Sequence, residues 1–152
     1  MTIYDLDKLM SETRKLAGEY RKTTGQTLPV TADLANYDAI RLLELETPEE
    51  KIAGIDAIKD GKKYQIKGRV LFGDEKKGQR VGQINLGGQW DAVLLVLFNG
   101  MYQPTVILEA SREVLEPVVN VKSNPRGALT VGRFQSLSTQ LWQPESNSDS
   151  NE

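Results

Sequence analysis

The stretch GIDAIKDGKKYQIKGR, residues 54–69, decides how this chain is read. It lies across two strand-like segments, IAGIDAI (52–58) and KKYQIKGRVL (62–71), joined by KDGK. Asp-Gly between two such segments is the composition of a tight hairpin turn, whose central residues must take positive φ. Two antiparallel strands are therefore expected. In the second, alternation sends Tyr64, Ile66, Gly68 and Val70 to one face and Gln65, Lys67 and Arg69 to the other. In the first, Asp56 breaks a run that is otherwise uncharged. A carboxylate placed there is costly unless a cation or hydrogen bonds compensate it. The polar stripe is what a solvated hairpin presents. With Asp56 beside it, Lys67 either closes a structural ion pair or helps hold a divalent metal and a reacting phosphate.

Outward from the hairpin, the chain alternates helix and strand. Residues 5–24 space Leu6, Leu9, Met10, Leu16, Ala17 and Tyr20 as a helix, and TTGQTLP ends it. Residues 30–45 form a second, with Thr31 as N-cap and Leu34, Tyr37, Ile40 and Leu43 as its buried stripe. After the hairpin, residues 72–89 read as a charged, Gly-rich loop with a short helix or strand near Val81–Leu86. AVLLVLF (92–98) is continuously apolar, as in a strand covered on both sides. QPTVILEA follows as the next strand, and Ser111 caps a short helix, SREVLEP. Residues 130–142 read as a closing helix, with Val131, Phe134, Leu137 and Leu141 on one side. The class is α/β: a central mixed sheet of about four strands flanked by helices. Residues 1–142 form one domain, of which 1–28 are an N-terminal helical extension, and 143–152 are an acidic, disordered tail.

Composition narrows the chemistry. The chain has no cysteine, so disulfides and thiolate metal sites are excluded. It also has no histidine, which removes Ser-His-Asp and Cys-His nucleophiles and the common zinc sites. What remains is carboxylates, Lys, Arg, Tyr, amides and a hard, oxygen-bound cation. No apolar run is long enough to span a membrane, and the acidic, amphipathic N-terminus is not a secretion signal. A reducing cytoplasm is the expected location. The net charge is −2, and removing the three acids of the last ten residues leaves +1, so nucleic-acid binding needs a local basic patch.

Asp56 followed by Gln65-Ile66-Lys67 resembles the PD-(D/E)XK nuclease superfamily. In that family an acid and a (D/E)xK triplet lie on adjacent strands of a restriction-endonuclease-like fold. Glutamine at the first triplet position departs from the majority pattern and matches the QxK variant of the Mrr-like branch. The pieces QWDAVLLVLF, LEASREV and RGALTVGRFQSL look similar to small proteins of that type, so the resemblance covers residues 29–142. It implies metal-dependent hydrolysis of DNA phosphodiesters, with Asp56, Gln65 and Lys67 as the catalytic set. Mg²⁺, or Mn²⁺ in its place, would be held by Asp56, the Gln65 side-chain oxygen and the Ile66 backbone carbonyl, with Asp33 acting through water. Asp33 is also a first-turn acid favoured by the helix dipole. Lys67 would position the attacking water or offset charge in the transition state.

Phosphate contacts are expected from Arg69, Lys76, Lys77, Arg80, Arg126 and Arg133. One small domain without a separate recognition module implies a homodimer, each copy cutting one strand. The alternative is a catalytically inactive nuclease-fold module that binds DNA or a protein partner. A plain α/β domain with an Asp56–Lys67 ion pair is the third reading.

Overall fold

The computed structural model describes residues 3–73, 79–119 and 128–145. Lys76, Lys77 and Arg126, together with the tail from residue 146, lie outside them. The elements run α1 (Ile3–Thr24), α2 (Thr31–Leu43), β1 (Ala57–Lys59), β2 (Lys62–Val70), β3 (Arg80–Gln83), β4 (Ala92–Phe98) and β5 (Pro104–Ser111). They continue as α3 (Arg112–Val119), β6 (Ala128–Thr130), α4 (Val131–Leu137) and β7 (Thr139–Trp142). The architecture is α/β. A mixed five-stranded sheet in the order β1-β2-β4-β5-β7 is flanked by helices, compatible with a restriction-endonuclease-like fold. β3 and β6 make a separate two-stranded sheet.

The apolar run 92–98 is the centre of the sheet. All seven residues of β4 are buried, because the strand pairs on both sides and is covered on both faces. β2 lies parallel to it and β5 antiparallel. The two faces carry separate cores. Leu94, Val96, Tyr64 and Val70 pack under α1 and α2 with Leu34, Ala35 and Ala39. Val93, Leu95 and Leu97 pack with Val81, Trp90, Leu115 and Phe134 on the other side. Gln65, Lys67 and Arg69 stand in register with Val93, Leu95 and Leu97, which puts the polar stripe of β2 on that second side.

The hairpin turn is as its Asp-Gly pair demands, with Asp60 at φ 52° and Gly61 at φ 83°. The first strand is much shorter than the expected 52–58. It begins at Ala57, and Asp56 precedes it at the edge of the sheet. The cause is local: Gly54 takes φ 80° and Ile55 donates its backbone N–H back to Ile52, turning the chain before pairing starts. The C-terminal region also differs from expectation. The helix stops at Leu137, and Thr139–Trp142 pair with β5 as an edge strand. Backbone bonding to β5 outweighs the helical spacing of Leu141, which is left exposed.

The helices turn different faces inward from those their large apolar residues mark. On α2 the fully buried positions are Leu34, Ala35, Asp38 and Ala39, while Tyr37, Ile40 and Leu43 are half-buried. Close approach of helix to strand explains this. A Cβ on Gly68 would meet the Ala35 Cβ at 2.6 Å and the Thr31 carbonyl oxygen at 3.3 Å, so only small residues fit where α2 crosses β2. On α1, Arg14, Ala17 and Gly18 face inward, and Leu6, Leu9 and Leu16 are exposed. Val30, not Thr31, occupies the N-cap of α2, with no side-chain cap bond.

Candidate functional site

Asp56 sits where β2 loses its outer neighbour. β1 pairs with β2 only as far as Tyr64, so from Gln65 onward that edge of β2 has no strand beside it among the described residues. Unpaired edges must be satisfied or shielded, and here side chains do it. Asp56 Oδ2 accepts the Ile66 backbone N–H at 2.8 Å, and Arg69 Nη1 donates to the Gly68 carbonyl at 2.6 Å. Because the N–H and C=O of one strand residue point to the same edge, the Ile66 carbonyl also faces outward beside the Asp56 carboxylate. Asp56 is half-buried, and its own N–H donates to the Tyr64 carbonyl.

Lys67 comes next on β2 and is half-buried on the second face. It makes no ion pair with Asp56 and no hydrogen bond among the described residues. Burial holds its ammonium below the usual lysine range, the Arg69 charge pushes it the same way, and Asp56 works against both. Asp56 is thus close enough to act on Lys67 electrostatically, yet its hydrogen bond goes to the backbone.

Gln65 is placed differently from a simple shared shell. It opens into a ≈ 310 Å³ depression with Asn85, Gly87, Gly88 and Gln89, whereas Asp56 and Asp33 line a ≈ 550 Å³ groove along α1 and α2. Its Nε2 reaches the Gly54 carbonyl at 3.5 Å, and its Oε1 is buried without a partner among the described residues. Above it the two loops touch: a Cβ on Gly54 would stand 3.6 Å from the Gly88 Cα. Asp33 is exposed in the first turn of α2. One turn later Asn36 Oδ1 is buried, without a partner among the described residues, at the wall of the groove that Asp33 lines. Among the described residues no three acidic side chains cluster as a ready metal cage.

The basic residues divide. Arg69 is half-buried, and its Nε donates to the Arg80 carbonyl at 2.7 Å, tying β2 to β3. Its guanidinium also fills the space over Gly82, so it is committed to the fold. Arg80 is exposed on β3, and Arg133 is exposed in the first turn of α4, where its backbone N–H donates to the Thr130 hydroxyl. Two other arginines went unremarked in the sequence. Arg14 forks onto Asp38 at 2.7 and 2.8 Å, and Arg112 stacks on Trp90 while bonding the carbonyls of Leu86, Gly88 and Trp90. An inward arginine at helical spacing from Met10 and Ala17 was the available sign for the first; the second joins residues too distant in sequence to read.

The donors beside Asp56 are hard oxygens: one carboxylate, one backbone carbonyl, and Asp33 in the same groove. That chemistry fits one magnesium-type cation. The shut-in Gln65 oxygen does not join them as the side chain stands. No protein-family model matches the chain, and no curated protein matches it in sequence.

Proposed function

We propose that the protein is a divalent-cation-dependent nuclease hydrolysing DNA phosphodiester bonds, of the restriction or defence type. The observation that carries this reading is Lys67: a half-buried ammonium without a counter-ion among the described residues, beside a carboxylate that does not pair with it. Groups held in that costly state concentrate at reactive sites. Asp56 and the Ile66 carbonyl would hold Mg²⁺ or Mn²⁺, with Asp33 joining through water. The bound cation would supply Lewis acidity and a water acidic enough to ionise near neutral pH. Lys67 would donate to a non-bridging phosphate oxygen, where charge builds in the transition state. The Ile66 N–H fixes the Asp56 carboxylate so that its other oxygen remains for the cation. Cutting a duplex calls for two copies, hence a homodimer, and a cysteine-free chain suits the cytoplasm.

One observation favours a second reading, a nuclease-fold module that binds DNA or a protein partner without cutting. The Gln65 oxygen is closed beneath the Gly54–Gly88 contact, which leaves Asp56 and the Ile66 carbonyl as the direct ligands, with Asp33 only through water. Cleavage of plasmid and single-stranded DNA with Mg²⁺ or Mn²⁺ separates the two. The expected result is metal-dependent cutting that Asp56→Ala abolishes and Lys67→Ala slows by roughly 10²–10³-fold, with the fold intact. Wild-type protein that binds DNA but cuts nothing in either metal would hand the assignment to the binding module.

A further inference from the structure

A second depression, ≈ 620 Å³, opens between α1, α2 and the turn before β5. Ser11, Arg14, Lys15, Arg41 and Gln103 line it. It shares Asp7, Tyr37 and Arg41 with the groove of Asp33 and Asp56, so the two run into each other along the helices. Their charges are opposite in character. The Asp56 end carries Asp7, Asp33 and Asp56 against Arg41 alone. At the other end, Arg14, Lys15 and Arg41 meet Asp7 and the buried Asp38 behind them, one cation in excess.

The bonding pattern says which of these cations can take a ligand. Arg14 is buried and spends its fork on Asp38 and the Tyr102 carbonyl. Arg41 gives Asp38 a single bond at 3.1 Å, keeps 47% of its side chain exposed, and lies 5.4 Å over the Tyr37 ring, which steadies it. Asp7 is already engaged by the Tyr37 hydroxyl. Ser11 and Lys15 are exposed and have no hydrogen bond or ion pair among the described residues. An arginine held on an aromatic ring, a free lysine and a free hydroxyl around one concavity are donors matched to a tetrahedral oxyanion.

We propose that this cavity takes a phosphate group, the neighbouring phosphate of a nucleic-acid strand whose scissile phosphate lies at Asp56. The inference rests on the nuclease-fold reading of the Asp56 site. Opposite charge at the two ends of the groove would orient the strand: the acidic end accepts a phosphate only together with a cation, and the basic end accepts one directly. Arg41 and Lys15 are its contacts, and Arg14 shapes the wall.

The test uses the full chain in chelator, so that no cleavage intervenes. Fluorescence anisotropy follows a short labelled single-stranded DNA across a salt series for wild type, Arg41→Gln and Lys15→Gln, with inorganic phosphate as a second probe. Each variant is expected to weaken strand binding roughly tenfold. Each should also lower the salt dependence by about one phosphate contact, and inorganic phosphate should compete in wild type but poorly in Arg41→Gln. Lys15 is exposed and makes no bond among the described residues, so its variant keeps the test open should Arg41→Gln be unstable. Wild-type affinity and salt slope in both variants would overturn the cavity while leaving the Asp56 reading in place. Binding of inorganic phosphate through Arg41 and Lys15 without any binding of the strand would overturn the strand proposal and leave a site for a free phosphate compound, while the Asp56 reading stands or falls by metal-dependent cleavage.

Discussion

Asp38 and Asp56 are two carboxylates set among cations, and the fold treats them in opposite ways. Asp38 is fully buried and receives three charge-assisted bonds, two from Arg14 and one from Arg41. Asp56 is half-buried and takes a backbone N–H, while the neighbouring ammonium of Lys67 has no partner among the described residues. The first arrangement is closed on the carboxylate: Asp38 and Arg14 are spent on each other in the core, and only the exposed side of Arg41 is left for a ligand. The second is open, and its cost in stability is the kind a reactive site carries. Burial of charge therefore does not by itself mark function here. Incompleteness of pairing is the feature on which the proposed site rests.

Removing the closed couple should have the largest effect. Asp38→Ala strands the Arg14 guanidinium in the core between α1 and α2, and breaking a buried pair on one side typically costs about 3–5 kcal/mol. Urea denaturation should show a midpoint fall of that size, with α1 the first element to lose amide protection. A loss under about 1 kcal/mol would mean that Arg14 reaches solvent, and the contrast between the couples would collapse.

The sequence disclosed these two regions unequally. The hairpin and the β4 run were legible because their signals are local: Asp60-Gly61 at positive φ, strict alternation in β2, seven consecutive apolar residues. The Asp38 couple was not. Its partners are 24 residues apart, and Asp38 falls between the apolar positions that mark the helix face. The inward face of α2 is set by small residues over Gly68, a contact that periodicity of large side chains cannot register. At the candidate site, residue types and order were readable. What was not readable was that Gly54 and Gly88 meet over Gln65 and separate it from the groove of Asp56, because that depends on a loop clamped by Arg112 from another element.

A smaller effect tests the scaffold common to both carboxylates. Gly68 lets α2 approach β2, and α2 carries Asp38 on its inner side and Asp33 on the groove side. Gly68→Ala would drive a methyl to 2.6 Å from Ala35 and must push the helix outward. Overpacking of this kind costs about 1–3 kcal/mol. Thermal unfolding should report it as a lower Tm, and the double variant Gly68→Ala/Ala35→Gly should recover part of the loss. Absence of any recovery would place the strain at Phe98, also within 3.3 Å, instead of at the helix.

The smallest effect concerns the open couple and has the opposite sign. Lys67→Met keeps the stem and removes a half-buried ammonium that has no partner among the described residues, so at neutral pH its stability should equal or slightly exceed that of wild type, by less than about 1 kcal/mol. The pH dependence gives the decisive sign. The folded pKa of Lys67 is lowered from 10.5, chiefly by burial. Below the folded value both states hold the proton, and the desolvation cost is present in full. Between the folded value and 10.5 the unfolded chain binds more protons than the native one, so wild-type stability gains with rising pH relative to the methionine variant. Paired denaturation curves from neutral pH to pH 10.5 should therefore converge. A gap that favours wild type at neutral pH and narrows as Lys67 loses its proton would mean that the ammonium is stabilised in the fold. Lys67 would then belong with Arg14, as a structural cation.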